Sequence, residues 1–306
     1  MYGNIRRGEK YISRLCDFIR VEYQIVPISL TPAKRGFYGE TWKLETASKN
    51  YFVKLGYSPR KETYKQSFAV IELLCKHGID FISKIAPNAN GELFALFDTA
   101  VLGVFEWIEG ENIETDATKI PEYHMLAKVY TISPDGVDIG REGFSDRNAE
   151  KFFEQWKASG DRRILSLLEK NRAKLEHRAK RQKKFAEACR IDLSGFVITH
   201  GDAGGNFIVS GDRNYIVDWD NPLLAPPERD AWRMCGREWA REAFQSALRQ
   251  NGIEYRLRPE RLAYYCYDFF FFYLTAFLDA SAQAEKIEEY IDGWIEESFA
   301  YADNIQ

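Results

Sequence analysis

The sequence has few cysteines, and they form no pattern. The five cysteines are scattered along 306 residues without a CxxC pair, which argues against a disulfide framework and against a structural zinc site. Free thiols of this kind are typical of a reducing compartment, so we expect a cytoplasmic protein. The N-terminus also lacks an apolar core of signal-peptide length, which agrees with that expectation.

Long apolar runs and a strong excess of one charge are missing as well. The most apolar stretch, residues 262–278, is interrupted by Asp268 and is shorter than a typical membrane span. Charged residues make up 29% of the chain, and the formal net charge is −4. The composition therefore argues against a disordered chain and predicts neither a nucleic acid nor a membrane as a partner. It leaves the oligomeric state open.

The chain contains ample apolar material for a large core, with 45% hydrophobic and 15% aromatic residues. Residues 1–110 show a helical pattern, three short strand patterns, a second helical pattern and two more strand patterns. Residues 111–306 are mostly helical, except for a short β segment at 195–220. We therefore predict an α+β fold with a small β-rich N-terminal lobe, residues 1–110, and a larger helical C-terminal lobe, residues 111–306. The predicted helices of the second lobe cover about 119–132, 147–158, 161–190, 228–250 and 259–302.

The β segment carries the polar residues that are most informative about chemistry. It contains His200-Gly201-Asp202, then Asn206, and then Asp218-Trp219-Asp220, placed at the ends of short apolar strands. Phosphoryl transfer needs one carboxylate to orient the attacking hydroxyl and hard oxygen ligands to hold Mg²⁺ against the phosphates. Asp, Gly and Asn are also common turn formers, so His-Gly-Asp alone would be a weak signal. The combination with Asn206 and the later aspartates favours a catalytic hairpin.

With these residues the sequence resembles the aminoglycoside phosphotransferase family, which includes relatives such as choline kinases. That family carries HGDxxxxN followed by an (I/V)DW(D/E) motif, and the run IVDWDNPLLAPPERDAW looks closer still to its spectinomycin phosphotransferase branch. The resemblance covers nearly the whole chain in the order of its elements and is most specific over residues 200–232. It implies the two-lobed protein-kinase-like fold. It also implies an ATP- and Mg²⁺-dependent kinase that transfers the γ-phosphate to a hydroxyl of a small, cationic molecule.

The resemblance also implies roles for individual residues of the hairpin. Asp202 would be the catalytic base, Asn206 and Asp218 would bind Mg²⁺, and His200 would brace the loop. Asp220 would lie near the metal or the substrate, and we include it as a candidate substrate residue.

The chain departs from the family in one place. It has three residues between the catalytic Asp and the metal-binding Asn, where the family has four. Because glycine adopts backbone conformations that other residues avoid, we expect Gly204 and Gly205 to absorb the missing residue.

The N-terminal lobe is expected to bind the nucleotide. Lys54 lies on an apolar strand that matches the strand lysine of kinases, which contacts the phosphates. Its helix partner should be a glutamate, and Glu62 is preferred over Glu72. The loop 31–41, with Lys34, Arg35 and two glycines, would cover the phosphates, and the adenine would bond to the backbone of Glu106 and Ile108 at the interlobe hinge.

The sequence says less about the site that binds the phosphate acceptor. Asp268 lies in an aromatic helix, where it would either hold an ammonium group, with cation–π help from its neighbours, or pair with an arginine such as Arg233 or Arg237. The acceptor could be spectinomycin or another aminoglycoside, in which case the role is antibiotic resistance, or a metabolite such as an amino alcohol.

GTP could replace ATP. The alternative is a non-catalytic nucleotide-binding regulatory protein on the same fold. A protein kinase is disfavoured because HRD, DFG and APE motifs are missing.

Overall fold

The computed structural model describes residues 7–33, 39–279, 284–293 and 295–306. Its contacts concentrate in two compact units. We call Met1–Gly140 with His200–Leu223 the sheet unit, and Arg141–Thr199 with Leu224–Gln306 the helical unit. The class is α+β, as predicted, while the lobe boundary at residue 110 stays a prediction. Residues 34–38 of the predicted phosphate-covering loop, which include Lys34, Arg35 and Gly36, lie outside the described residues.

An antiparallel sheet forms the main part of the sheet unit. Its order is β1-β2-β3-β6-β4, and β5 pairs with β6 as well. The strands are β1 (Ser29–Pro32), β2 (Glu40–Glu45), β3 (Asn50–Gly56), β4 (Ile85–Ala86), β5 (Ala95–Phe97) and β6 (Ala100–Glu106). The three strand patterns before the second helix and the two after it are confirmed. Strand β4 was not predicted, because two residues cannot show a period.

Two helices cover this sheet, α1 (Glu9–Tyr23) and α2 (Lys61–Lys76). Leu15 and Ile19 of α1 are fully buried against sheet residues such as Leu44, and each such side chain contributes about 1.5–3 kcal/mol relative to exposure. Helix α2 approaches β3 closely at Gly56, since an added Cβ there would lie 2.4 Å from the ring of Tyr64. The helix is therefore fixed directly beside the strand that carries Lys54.

A second, three-stranded sheet completes the sheet unit, in the order β10-β9-β7. Its strands are β7 (Glu111–Asn112), β9 (Phe207–Ser210) and β10 (Arg213–Ile216), and α3 (Asp116–Val129) packs against β10. Gly110, which precedes β7, has a φ of +157° and no room for a side chain, because an added Cβ would lie 2.4 Å from the Val209 carbonyl oxygen. The segment that follows β6 therefore packs directly against β9 of the predicted catalytic hairpin.

The helical unit is built around one long helix. Helix α9 packs against α4, α6, α7 and α11. The helices of this unit are α4 (Arg147–Ala158), α5 (Arg162–Lys170), α6 (Arg172–Cys189), α7 (Glu228–Ala231), α8 (Glu238–Gln250), α9 (Pro259–Asp279), α10 (Ala284–Gly293) and α11 (Glu296–Asp303). Strand β8 (Val197–Thr199) pairs with β11 (Leu223–Ala225).

Three predicted helices are each divided in the structure. The pattern 161–190 breaks at Asn171, whose side-chain amide donates to the Leu167 carbonyl at 3.0 Å and so ends α5. The pattern 228–250 becomes α7, a 3₁₀ turn at Trp232–Met234 and α8. The pattern 259–302 becomes α9, α10 and α11, with residues 280–283 and 294 outside the described residues. Periodicity continued through these breaks because both sides of each break bury apolar residues.

The aromatic helix α9 supplies the core of the helical unit, as predicted for most of its rings. Six of the eight aromatic residues at 264–273 are buried, namely Tyr264, Tyr265, Tyr267, Phe269, Phe270 and Phe271. The search for spanning helices, which covered the described residues, found none that is both long and apolar enough to cross a bilayer.

Candidate active site

The predicted metal ligands lie at the same end of the β9–β10 hairpin. Ile216 pairs with Phe207 in this antiparallel ladder, so the residue before β9 and the residues after β10 are neighbours. The Val217 N–H donates to the Asn206 carbonyl at 3.0 Å, which extends the ladder by one step. Asn206 and Asp218 are therefore brought together by strand pairing, although twelve positions separate them in the sequence.

The predicted base, Asp202, is joined to this end by a short loop. Residues Ala203–Gly205 form one 3₁₀ turn, closed by a 2.9 Å bond from the Asn206 N–H to the Ala203 carbonyl. Gly204 and Gly205 are not among the described glycines with positive φ, so the turn does not use the left-handed conformation that glycine favours. The tighter hydrogen bonding of a 3₁₀ turn, in which i bonds to i+3, accommodates the shorter loop instead.

The side chain of Asn206 is oriented by the same loop. Its amide nitrogen donates to the Asp202 carbonyl at 2.8 Å. Because the nitrogen is used in this bond, the amide oxygen is the atom that Asn206 presents to a cation. The carboxylate of Asp202 is exposed, and the Asp218 side chain is 47% exposed, so both are accessible.

Two side chains hold the loop from behind. His200 is buried; its Nε2–H donates to the Val217 carbonyl at 2.9 Å, and its Nδ1 accepts from the Asp202 N–H at 3.2 Å. These two bonds fix one tautomer of the ring and agree with a bracing role. Asn112 of β7 donates from its amide to the Gly205 carbonyl at 2.5 Å. The sequence did not indicate Asn112, because its partner lies 93 residues away.

Lys54 bonds to both aspartates that follow β10. Its ammonium lies 2.5 Å from Asp218 Oδ1 and also forms a short ion pair with Asp220. The Lys54 side chain is only 8% exposed. Successive side chains of a strand point to opposite faces of the sheet. Because Val53 and Leu55 are fully buried on one face of β3, the side chain of Lys54 lies on the other.

The charges of this cluster shift one another's protonation equilibria. Burial by itself would lower the pKa of Lys54, but Asp218 and Asp220 outweigh it and raise that pKa. Desolvation by itself would raise the pKa of Asp218, but the Lys54 ammonium outweighs it and lowers the pKa of that carboxyl. Burial and the neighbouring Asp218 raise the pKa of Asp220 to about 6. Asp218 is therefore the carboxylate that stays ionised.

The donor set at the hairpin end fits Mg²⁺. The described residues contain no group of three or more His, Cys, Asp or Glu side chains that could hold a metal. Mg²⁺ does not need such a group, because it usually takes one or two protein carboxylates and completes its shell with water and substrate phosphates. The accessible carboxylate of Asp218 and the amide oxygen of Asn206 are hard ligands of the kind that Mg²⁺ prefers.

Neither glutamate considered as the partner of Lys54 pairs with it in the structure. Glu62 is 76% exposed at the side chain and bonds Lys65 at 2.8 Å, and Glu72 pairs with Lys76 at 3.1 Å. The nucleotide-binding role of Glu62 stays a prediction. Helix α2 instead presents Tyr64, whose ring centroid lies 5.4 Å from the Lys54 ammonium. Sequence analysis missed Tyr64, since an aromatic residue in a helix normally indicates core.

The predicted hinge residues lie at the end of β6, with Glu106 as its last residue and Ile108 two positions beyond. The Glu106 backbone is engaged, because its N–H donates to the Lys84 carbonyl at 2.8 Å and its carbonyl accepts from Ser83 Oγ at 2.6 Å. The backbone of Ile108 makes no hydrogen bond with any residue that the structure describes. Ile108 thus offers one donor and one acceptor, the pair that a purine edge needs. Both nucleotide-binding assignments stay predictions.

Asp268 belongs to the helical unit and is held by two neutral amides. Its Oδ1 accepts from Gln182 Nε2 at 2.7 Å and from Asn148 Nδ2 at 2.9 Å. Burial, together with the charge of Glu142, raises the pKa of Asp268 to about 7. The bonds tie α9 to α6 and α4, which is a structural arrangement, and the role of Asp268 in substrate binding stays a prediction.

Comparisons with known proteins identify the family and the fold. A family model described as phosphotransferase enzyme family matches residues 29–270. A crystal structure of spectinomycin phosphotransferase in complex with ADP and spectinomycin is similar, with a TM-score of 0.77 and 20% identity over 94% of this chain and 98% of that one. A comparison with curated protein sequences gave no match.

Two metabolic kinases are also similar in structure. Choline kinase LicA from Streptococcus pneumoniae has a TM-score of 0.66 and 17% identity over 97% of this chain and all of the other (100%). A microcompartment-associated aminopropanol kinase has a TM-score of 0.65 and 12% identity over 95% of this chain and 98% of the other. Similarities at this level of identity establish the protein-kinase-like fold, as predicted. Because the family model spans most of the chain, the chain belongs to the phosphotransferase enzyme family, and it is a small-molecule phosphotransferase.

Proposed function

We propose that this protein transfers the γ-phosphate of ATP, with Mg²⁺, to a hydroxyl group of a small cationic molecule. The observation that best supports the proposal is the end of the β9–β10 hairpin, where strand pairing and one short loop bring together an exposed aspartate, an oriented amide oxygen and a lysine-paired aspartate. The names of the similar structures, which include ADP and AMP complexes, support an adenine nucleotide as the donor.

In this proposal each side chain has one task. Asp202 accepts the proton of the acceptor hydroxyl as its oxygen attacks the γ-phosphorus, and ADP leaves. Lys54 contacts the phosphates, and the backbone N–H and carbonyl of Ile108 receive the adenine, next to Glu106, whose own backbone groups are already bonded. Asp218 and Asn206 would hold Mg²⁺, which when bound neutralises charge on the phosphate oxygens. His200 and Asn112 keep the loop in place while the proton moves.

The acceptor class is inferred from the similar kinases. Spectinomycin, choline and aminopropanol are the small molecules in their names, and each carries a hydroxyl beside an amine or a quaternary ammonium group. We therefore propose an amino alcohol or an amino-substituted ring as the acceptor. The membership in an enzyme family weighs against the alternative of a non-catalytic regulatory protein.

The decisive experiment replaces the proposed base. Asp202→Asn should reduce phosphate transfer by roughly 10²–10⁴-fold, the usual contribution of a general base. Binding of ADP, measured by calorimetry, should stay unchanged. The assay is a mass-shift screen of amino alcohols and aminoglycosides with ATP and Mg²⁺, and Asp212→Asn, at the tip of the same hairpin, is the matched control. Full transfer activity in Asp202→Asn would refute the assignment of the base.

A further inference from the structure

The helical unit contains a cavity that the proposed chemistry does not use. It has a volume of about 1050 Å³ and lies between α8, the segment 256–258, the start of α9 and Tyr301. Gln245 of α8 shapes it by accepting a 3.0 Å bond from the Leu257 N–H and by donating to the Tyr255 carbonyl. The volume is at the upper end of the range for small-molecule sites. We call it the arginine pocket.

Four arginines and one glutamate make up the charged lining of this pocket. The arginines are Arg241, Arg249, Arg256 and Arg258, and the acid is Glu242. The chain as a whole has a net charge of −4, so this concentration of positive charge runs against the overall balance. Like charges on one concave surface repel each other, and the repulsion grows as the distance between them falls. A bound anion would relieve that repulsion.

Two of the arginines are held in place and two are not. Arg258 pairs with Asp192 at 2.6 Å, while Arg241 donates to the Cys235 carbonyl and lies over the Tyr301 ring at 4.7 Å. Arg249 and Arg256 are exposed and make no ion pair with any residue within the described ranges. The pocket thus combines two arginines that are held in position by protein contacts, Arg241 and Arg258, with two exposed guanidinium groups that can bond to a ligand.

From this arrangement we propose that the arginine pocket binds a small soluble anion that carries two or more phosphate or carboxylate groups. Guanidinium forks match both groups through two parallel hydrogen bonds, which a lysine cannot form. The concave shape favours a compact ligand. The aromatic side chains of Trp239 and Tyr301 give the same pocket two flat apolar surfaces beside the cations.

The test uses tripolyphosphate and citrate as probes, titrated by calorimetry into the full-length protein. Arg249→Ala/Arg256→Ala should raise the Kd of the bound probe at least tenfold. The control double variant Arg162→Ala/Arg163→Ala removes two exposed arginines from α5 and should change Kd less than twofold. Binding of tripolyphosphate alone indicates a phosphate ligand, and binding of citrate as well indicates that carboxylates are accepted; both outcomes support the pocket.

Two further variants keep the result interpretable. Lys54→Met removes the proposed phosphate contact of the nucleotide site, and probe binding should survive this change. Arg249→Lys/Arg256→Lys keeps the charge but removes the forks, and it should raise Kd about threefold. Phosphate transfer without probe should be unchanged in all of the Arg249/Arg256 variants. Equal Kd values in both alanine double variants, or loss of binding only in Lys54→Met, would overturn the proposal.

Discussion

The sheet unit and the helical unit each hold a buried charge, but they stabilise it in different ways. In the sheet unit, the Lys54 ammonium is paired with two carboxylates, one of which is 47% exposed. In the helical unit, Asp268 has two amide partners and no cation within hydrogen-bond distance among the residues that the structure describes. In the proposed function the Lys54 ammonium contacts the phosphates of the nucleotide, and its place next to solvent and to opposite charge suits that exchange of partners. The carboxyl of Asp268, which joins three helices, is bonded by neutral groups, and burial without a cation beside it raises its pKa to about 7.

The largest expected effect comes from removing the paired charge. Lys54→Met should lower kcat/KM by about 10²–10³-fold, as for other single electrostatic contacts in active sites. It should also lower the free energy of unfolding by roughly 3–5 kcal/mol, because Asp218 and Asp220 then repel each other without a cation. Steady-state kinetics and urea unfolding measure the two effects. Lys76→Met, at an exposed position on α2, is the control, and an equal loss there would contradict the prediction.

The next effect separates the two carboxylates. Asp220→Asn should lower kcat/KM about tenfold, mostly through the KM for ATP, because the lysine loses one of its two anchors. The Mg²⁺ concentration needed for half-maximal rate should change in Asp218→Asn and not in Asp220→Asn. A change confined to the KM of the acceptor in Asp220→Asn would instead support the substrate role first predicted for this residue.

A smaller effect is expected from Asp268. An aspartate whose pKa is about 7 when folded and 3.8 when unfolded binds more protons in the folded state. Stability from this group is therefore complete below pH 3.8 and is lost as the pH rises through 7. Asp268→Asn should remove the part of this loss that falls between pH 5 and pH 8.5, which is roughly 2–3 kcal/mol. Urea unfolding at pH 5 and pH 8.5 measures it, with Asp292→Asn as the control. An unchanged pH slope together with a higher KM for the acceptor would make Asp268 a substrate residue.

The smallest effect is expected for Glu62→Gln. Exposed ion pairs contribute about 0–1 kcal/mol, so stability should change by less than about 0.5 kcal/mol. The KM for ATP should stay within twofold of the unchanged enzyme, as it should in the control Glu72→Gln. A tenfold rise in that KM would restore Glu62 as the functional partner of Lys54.

The sequence predicted what depends on local order and missed what depends on distant contacts. The strand that carries Lys54 and the hairpin between Asn206 and Asp218 were visible because apolar residues and turn formers alternate over a few positions. The partners of Lys54 were not visible, since Asp218 lies 164 residues away and no periodicity links the two. For the same reason Tyr64 and Asn112 carried no signal. The short loop was noticed, but the choice between glycine freedom and a 3₁₀ turn depends on hydrogen bonds that spacing does not specify.

The close approach at Gly110 has a mechanical consequence. Asn112 lies four residues after Ile108, and its side-chain amide donates a hydrogen bond to the Gly205 carbonyl in the loop that follows Asp202. Any side chain at position 110 would push the segment 108–112 away from β9. If Ile108 binds the purine and Asp202 accepts the proton, as proposed, one segment of five residues connects the two sites. Binding of the purine is then expected to influence the orientation of the Asp202 carboxylate through this segment.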